Sequence, residues 1–238
     1  MAVNDRVEPD EGPATDARPT PDDEPSFGPW HAVSRDAALA RLPTSDAPAP
    51  EVGPRIVAVD GRSAAGKTTL AAALADALPD ARVVHTDDVA WHHSFFDWQR
   101  PLIDHVLAPL RAGRPVSWRP DPWVERDRAG SIEVPAGCRW LILEGVGASR
   151  RELDPYLDAR VWVWSDPAAA RARELARHGD SPEGLAFVEE WMVAERAFVA
   201  ARRPWERCDL VVCGTPDAPV PAGDVLVAEP HADAGRAR

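Results

Sequence analysis

Eight residues constrain this chain more than all the rest: Gly61-Arg62-Ser63-Ala64-Ala65-Gly66-Lys67-Thr68. Two glycines five positions apart, then a lysine and a hydroxyl residue, make a turn whose backbone N–H groups can point inward around phosphate oxygens. The flanks suit that turn. Residues 55–60, Arg-Ile-Val-Ala-Val-Asp, are a short β-branched run of the kind that forms a buried parallel strand. Residues 69–78 are rich in Ala and Leu and stop at Pro79, which predicts a helix. Strand, turn and helix start follow without a gap, and the helix N-terminus adds partial positive charge. In that setting Gly61, Ser63, Ala64, Ala65, Gly66, Lys67, Thr68 and Thr69 are the candidates to cradle the phosphates of ATP. Lys67 would reach the terminal phosphates, and the Thr68 hydroxyl would hold Mg²⁺.

Composition sharpens this. Of 27 basic residues, Lys67 is the only lysine, so a chain that otherwise uses arginine keeps a compact ammonium where a phosphate turn asks for one. The net charge of −12 is uneven: residues 1–53 carry −7 and residues 217–238 carry −2, leaving −3 on the middle. A nearly balanced middle with acidic tails argues against a nucleic-acid partner, which calls for a basic face. Cys138, Cys208 and Cys213 have no metal-ligand or disulfide spacing and fit a reducing compartment. The N-terminus lacks an apolar signal core, and no apolar run approaches membrane-spanning length. A soluble, cytoplasmic protein without a membrane partner is expected. Oligomeric state is not legible.

Three regions are expected: a mostly disordered acidic Pro/Ala-rich tail over 1–53 with one short helix near 34–42, capped by Ser34; a folded domain over 54–216; and a C-terminal tail over 217–238. Within the domain, strands are predicted at 82–88, 131–134, 139–145, 159–165 and 209–213, with helices near 100–112, from 167 onward and over 183–203. Residues 225–227 would add a marginal edge strand. This βα alternation implies a parallel sheet covered by helices. Ligands in such sheets bind beyond the C-terminal ends of the strands, where Asp87, Asp88 and Glu144 would emerge.

From residue 56 to 215 the sequence resembles the uridine kinase-like branch of P-loop kinases, relatives of phosphoribulokinase, pantothenate kinase and other small-molecule kinases. Gly61–Thr68 is similar to the family's phosphate loop. Thr86-Asp87-Asp88 falls where the family has an aspartate closing its second strand, and Leu143-Glu144-Gly145-Val146 where it has Glu-Gly-Ile/Val. Arg171, Arg173 and Arg177 fall on its arginine-bearing lid helix, and Glu190-Trp191 through 212 matches its closing helix and last strand. The resemblance implies a P-loop NTPase fold: an α/β/α sandwich around a five-stranded parallel sheet. It further implies Mg·ATP-dependent phosphoryl transfer to a hydroxyl of a small molecule such as a nucleoside. The alternative is a P-loop NTPase or ATP-binding regulatory protein with no small acceptor.

Phosphoryl transfer needs an acceptor held in line and its proton taken, a task for a carboxylate facing the phosphates. Asp87 is the candidate base and Asp88 its rival. Glu144, with Thr68, is the candidate metal ligand. Arg173 and Arg177 share a helix face at i, i+4 and could stabilise charge on the transferring group, while Arg171 lies off that face. The acceptor is expected in the tryptophan-rich segment 91–123, with Asp97, Trp98, Arg119 and Trp123 as contacts. In the family an aspartate at the position of Asp97 binds ribose hydroxyls. Its Asp-x-Phe-Tyr is here Asp87-Asp88-Val89-Ala90-Trp91, so Trp91, Trp98 or Trp123 would have to supply the stacking ring. His85, His92 and His93 lack a further ligand at useful spacing for zinc.

Overall fold

In the computed structural model, which describes residues 24–44, 50–178 and 181–228, one mostly parallel sheet organises the chain. The elements are β1 (His31–Ser34), α1 (Arg35–Leu39), β2 (Arg55–Gly61), α2 (Lys67–Ala77), β3 (Ala81–His85), α3 (Thr86–Ala90) and α4 (Gln99–Leu102). A π-helical turn at Ile103–Leu107 joins α4 to α5 (Ala108–Arg111). There follow β4 (Val116–Trp118), α6 (Asp121–Glu125), β5 (Ile132–Val134), β6 (Trp140–Glu144), β7 (Ala159–Trp164), α7 (Pro167–His178), α8 (Pro182–Arg202), β8 (Leu210–Cys213) and β9 (Asp224–Ala228).

The sheet order is β1-β9-β8-β7-β2-β6-β3. The five strands β3, β6, β2, β7 and β8 are parallel, as the α/β/α P-loop NTPase fold requires. The sheet runs two strands further than expected. β9 pairs antiparallel with β8, and β1 pairs antiparallel with β9, so residues 225–227 lie inside the sheet rather than at its edge. Strand alternation makes the three layers. Ile56, Ala58, Leu141 and Leu143 face the cluster holding Leu102, Val106 and Trp123. Val57, Val59, Ile142, Val161 and Val163 face α1 and α2 through Ala38, Leu70 and Leu74. Trp162 and Val211 meet Val199 of α8 and Trp205.

Ser34 caps α1 as its sequence predicts, its hydroxyl accepting from Ala37 N at 3.2 Å. Disorder was expected over residues 1–30, of which 1–23 lie outside the described residues, as do 45–49 of the linker and 229–238 of the C-terminal tail. Residues 24–30 have no regular structure but are packed: Phe27 is buried, and Trp30 sits 5.6 Å from Trp164 between ring centroids. The 131–134 strand forms a separate antiparallel ribbon with β4. Asp87 and Asp88 do not end a strand. They occupy the first turn of α3, where neighbours diverge by ~100° instead of pointing to opposite faces. Among the described residues, no helix is long and apolar enough to cross a membrane.

Candidate active site

β2 delivers the glycine turn at the C-terminal edge of the sheet, and Asp60 fixes how it arrives. This carboxylate, 1% exposed, accepts from Gly61 N (2.8 Å), Gly147 N (2.8 Å), Ser149 N (3.0 Å) and Ser149 Oγ (2.6 Å). It thereby ties the phosphate turn to the loop that follows Glu144. Gly61 must be glycine, because a Cβ there would lie 2.5 Å from the Val163 carbonyl oxygen. Gly66, at φ 99°, turns the chain into α2. Lys67 is 7% exposed, and its ammonium donates to the Arg62 carbonyl at 2.8 Å. Thr68 and Thr69 are exposed in the first turn of α2, which carries no acidic residue, so the helix N-terminus is free to attract an anion.

Asp87 and Asp88 are separated by what holds them. Asp88 is committed to structure: its carboxylate pairs with Arg128 at 2.6 Å, its carbonyl accepts from Trp123 Nε1 at 2.8 Å, and Arg128 stacks 3.6 Å over the Trp123 ring. Asp87 makes no such bond and lines a cavity beside the turn. Its carboxyl meets water in that cavity yet is hemmed in by protein. Burial raises its pKa, opposed by the Lys67 ammonium and reinforced by Glu144. Glu144, buried at the end of β6, is held by His85 Nδ1 at 2.5 Å, and this bond raises the histidine's pKa. The Thr68 hydroxyl and the Glu144 and Asp87 carboxylates are hard oxygen donors, the chemistry that Mg²⁺ takes.

The phosphate turn divides two cavities. One, of about 730 Å³, is lined by Ser63, Asp87, Glu174 and His178 together with Trp91, Phe95, Phe187 and Trp191. The other, of about 530 Å³, is lined by Ala64, Gly66 and Thr69 with Arg173, Arg177 and Gly214. Arg173 Nη1 reaches the Ala64 and Gly214 carbonyls at 3.3 and 3.2 Å, whereas Arg171 turns to Glu189 at 2.8 Å. Two buried carboxylates of the α7–α8 pair touch the turn: Glu174 accepts from Ser63 Oγ (2.9 Å) and Glu195 from Ser63 N (2.5 Å). Burial pushes the Glu195 pKa up, with the Ser63 N–H in opposition. From the other side, Glu24 pairs with Arg62 Nε at 2.7 Å and accepts from Trp162 Nε1 at 2.8 Å.

The four acceptor contacts expected from the sequence lie elsewhere. Trp98 is a core residue, 1% exposed, its indole N–H bonded to Phe95 O. Trp123 is likewise buried, beneath α3. Asp97 is exposed, paired locally with Ser94, and Arg119 is exposed, donating to Arg128 O. None of the four lines the cavity that holds Asp87. Of the candidate tryptophans only Trp91 does, joined by His92 and His93. Sequence reasoning missed Asp60, Glu24, Glu174, Glu195, Phe187 and Trp191. A signal existed for half of them: Phe187, Trp191, Glu195 and Val199 recur every four residues along α8, an inward stripe interrupted by an acid.

No family model matches the chain, and no curated protein matches it. Solved structures do. A protein named a possible uridine kinase from Bacillus stearothermophilus is 22% identical, with a TM-score of 0.47, over 67% of this chain and 89% of that one. A candidate fructose transport system kinase from Silicibacter sp. is 22% identical (TM-score 0.43; 70% and 88% covered). TT1252 of Thermus thermophilus is 18% identical (TM-score 0.42; 69% and 91% covered). At TM-scores below 0.5 these likenesses decide nothing about this chain, whose fold and chemistry rest on its own residues.

Proposed function

We propose that the chain is a Mg·ATP-dependent phosphotransferase acting on a hydroxyl group of a small molecule. One observation carries this: Ser63 of the phosphate turn and Asp87 line the same cavity, while the opposite side of the turn opens on a second cavity bearing Arg173 and Arg177. The arginine-lined side suits a triphosphate nucleotide, and the Asp87 side suits its acceptor. ATP would enter with its phosphates on the N–H groups of residues 64 and 66 to 69, those of Ser63 and Ala65 being taken by Glu195 and the Arg62 carbonyl, and Lys67 would leave that carbonyl to meet the terminal phosphates. Thr68 and Glu144 would hold Mg²⁺, which neutralises charge between the phosphates. Asp87 then accepts the acceptor's hydroxyl proton as that oxygen bonds to the γ-phosphorus. The bond from the γ-phosphorus to the β–γ bridging oxygen breaks, and ADP leaves. Arg173 and Arg177, on the nucleotide side, would stabilise the charge that develops on the phosphates.

The test is an ADP-release screen with Mg·ATP over nucleosides, sugars, amino alcohols and pantothenate-like alcohols. Release that depends on an acceptor and vanishes in Lys67→Ala is expected. Turnover unchanged by that substitution, or ATP hydrolysis indifferent to every acceptor, would sink the proposal. A second reading, an ATP-binding regulatory protein, draws on the Glu24–Arg62 pair, which links the segment ahead of β1 to the phosphate turn. It expects nucleotide binding without turnover, and altered nucleotide affinity in Glu24→Ala.

A further inference from the structure

The two cavities flanking the phosphate turn differ in charge, and that difference bears on what the acceptor is. Arg35, Arg173 and Arg177 line the nucleotide side, against one acid, Asp224. Among the described residues, the acceptor side is lined by the carboxylates of Asp87 and Glu174 and three histidines, with no arginine or lysine. The nearest ammonium, Lys67, is bonded to Arg62 O and belongs to the phosphates. A phosphorylated or carboxylated acceptor would therefore lie against two like charges, with no arginine or lysine among the described lining residues to receive it. The rest of the wall is aromatic. Phe95 stands edge-on to Trp191 (5.1 Å, 90°) and to Phe187 (6.0 Å, 77°), and Phe187 is 44% exposed toward this space. Ring faces beside carboxylates are what a flat cation uses, since the ring quadrupole and the carboxylate both attract positive charge.

Resting on the phosphotransferase reading for which space the acceptor occupies, we propose that the acceptor is an amino alcohol: a hydroxyl compound carrying a protonated amine on a flat apolar body. Its hydroxyl faces Asp87 and its ammonium pairs with Glu174. Glu174 suits the ammonium because it is only 6% exposed and has no cationic partner closer than His178, at 3.7 Å. An arriving amine relieves the cost of that buried charge. A neutral nucleoside would gain the stacking but leave Glu174 as it stands.

The experiment measures binding by calorimetry on the full chain with three probes of one size: phenylglycinol (cationic), phenylethylene glycol (its neutral counterpart) and mandelate (anionic). The amine should bind at least tenfold more tightly than the glycol, and mandelate weakest of all. In Glu174→Gln, which keeps an acceptor for the Ser63 hydroxyl, amine and glycol should bind within twofold of each other. Equal binding of amine and glycol to the unaltered chain overturns the inference, as does binding of neither, or a preference that survives Glu174→Gln. The unaltered chain decides the matter even if the variant does not fold. The outcome is separable from that of the phosphotransferase reading. Amine preference without Lys67-dependent transfer would refute only the latter. Lys67-dependent transfer to neutral or phosphorylated acceptors, with no preference for the amine, would refute only the former.

Discussion

Replacing Asp60 by alanine should damage this protein more than any other single change near the phosphate turn. The carboxylate is 1% exposed and accepts four hydrogen bonds, from Gly61 N, Gly147 N, Ser149 N and Ser149 Oγ. Alanine would leave three backbone donors and a hydroxyl without an acceptor in a space that water does not reach. Each bond to a charged group is worth about 1.5–3 kcal/mol, but the four share one carboxylate and removing it also relieves a buried charge, so about 3–5 kcal/mol is expected. That is a large part of the roughly 5–15 kcal/mol that holds a domain together. Urea titration followed by tryptophan fluorescence should show it as a midpoint about 2 M lower, at a slope of about 2 kcal/mol/M. Ser149→Ala is the internal comparison: it deletes one donor, leaves Asp60 with its three amides, and should cost only about 1 kcal/mol. A loss below about 1 kcal/mol for Asp60→Ala, or one no larger than for Ser149→Ala, would show that these bonds are replaceable and that the turn is held some other way.

The two acids of α3 should separate cleanly. Asp87→Asn should lower kcat by about 10²–10⁴-fold with the melting temperature nearly unchanged, and the reverse pattern in Asp88→Asn would reassign the base. Asp88→Asn should instead cost about 1 kcal/mol of stability through the half-buried Arg128 pair and leave kcat within a few fold. Because burial raises the Asp87 pKa, kcat/KM should begin to fall at a pH above that of an ordinary aspartate at 3.8, and an acid limb at or below that value would contradict its placement. Glu195 gives a stability test. Its carboxyl binds a proton more tightly folded than unfolded, so its contribution is fully present below the unfolded value of 4.5 and declines as pH rises through the folded one. Glu195→Gln, which still accepts from Ser63 N, should melt above the unaltered chain at neutral pH, with the gap closing toward pH 4.5; a lower melting point at neutral pH would reverse the sign.

What the sequence discloses here is what short stretches decide by themselves. The glycine turn, the cap at Ser34 and four of the five parallel strands each follow from neighbours within a few positions and stand where expected, while the run predicted to reach residue 88 leaves its strand at His85 and turns into α3. The outer sheet depends on partners far apart: His31 pairs with Val227, and neither segment carries a signal strong enough to announce the other. The tryptophans show the same limit. Trp98 and Trp123 look as suited to stacking as Trp91, but burial is a property of the whole fold, and it places the first two in the core.

The carboxylates of α7 and α8 are the more consequential case, because they invert the simplest view of the site. Seen locally, a turn with the chain's one ammonium and a following arginine helix is a place for negative charge throughout. The fold divides that field. Arg173 and Arg177 line the cavity on one side of the turn, and Glu174, one position past Arg173, lines the cavity on the other, with Asp87 and the aromatic wall. Positions 173 and 174 are ~100° apart on a helix, enough to send opposite charges into different cavities. Under the proposed phosphotransferase reading, the short segment that carries the cations toward the nucleotide also carries the anion that shapes the acceptor space. Swapping those two residues should therefore impair nucleotide and acceptor binding together, whereas altering either alone should impair one.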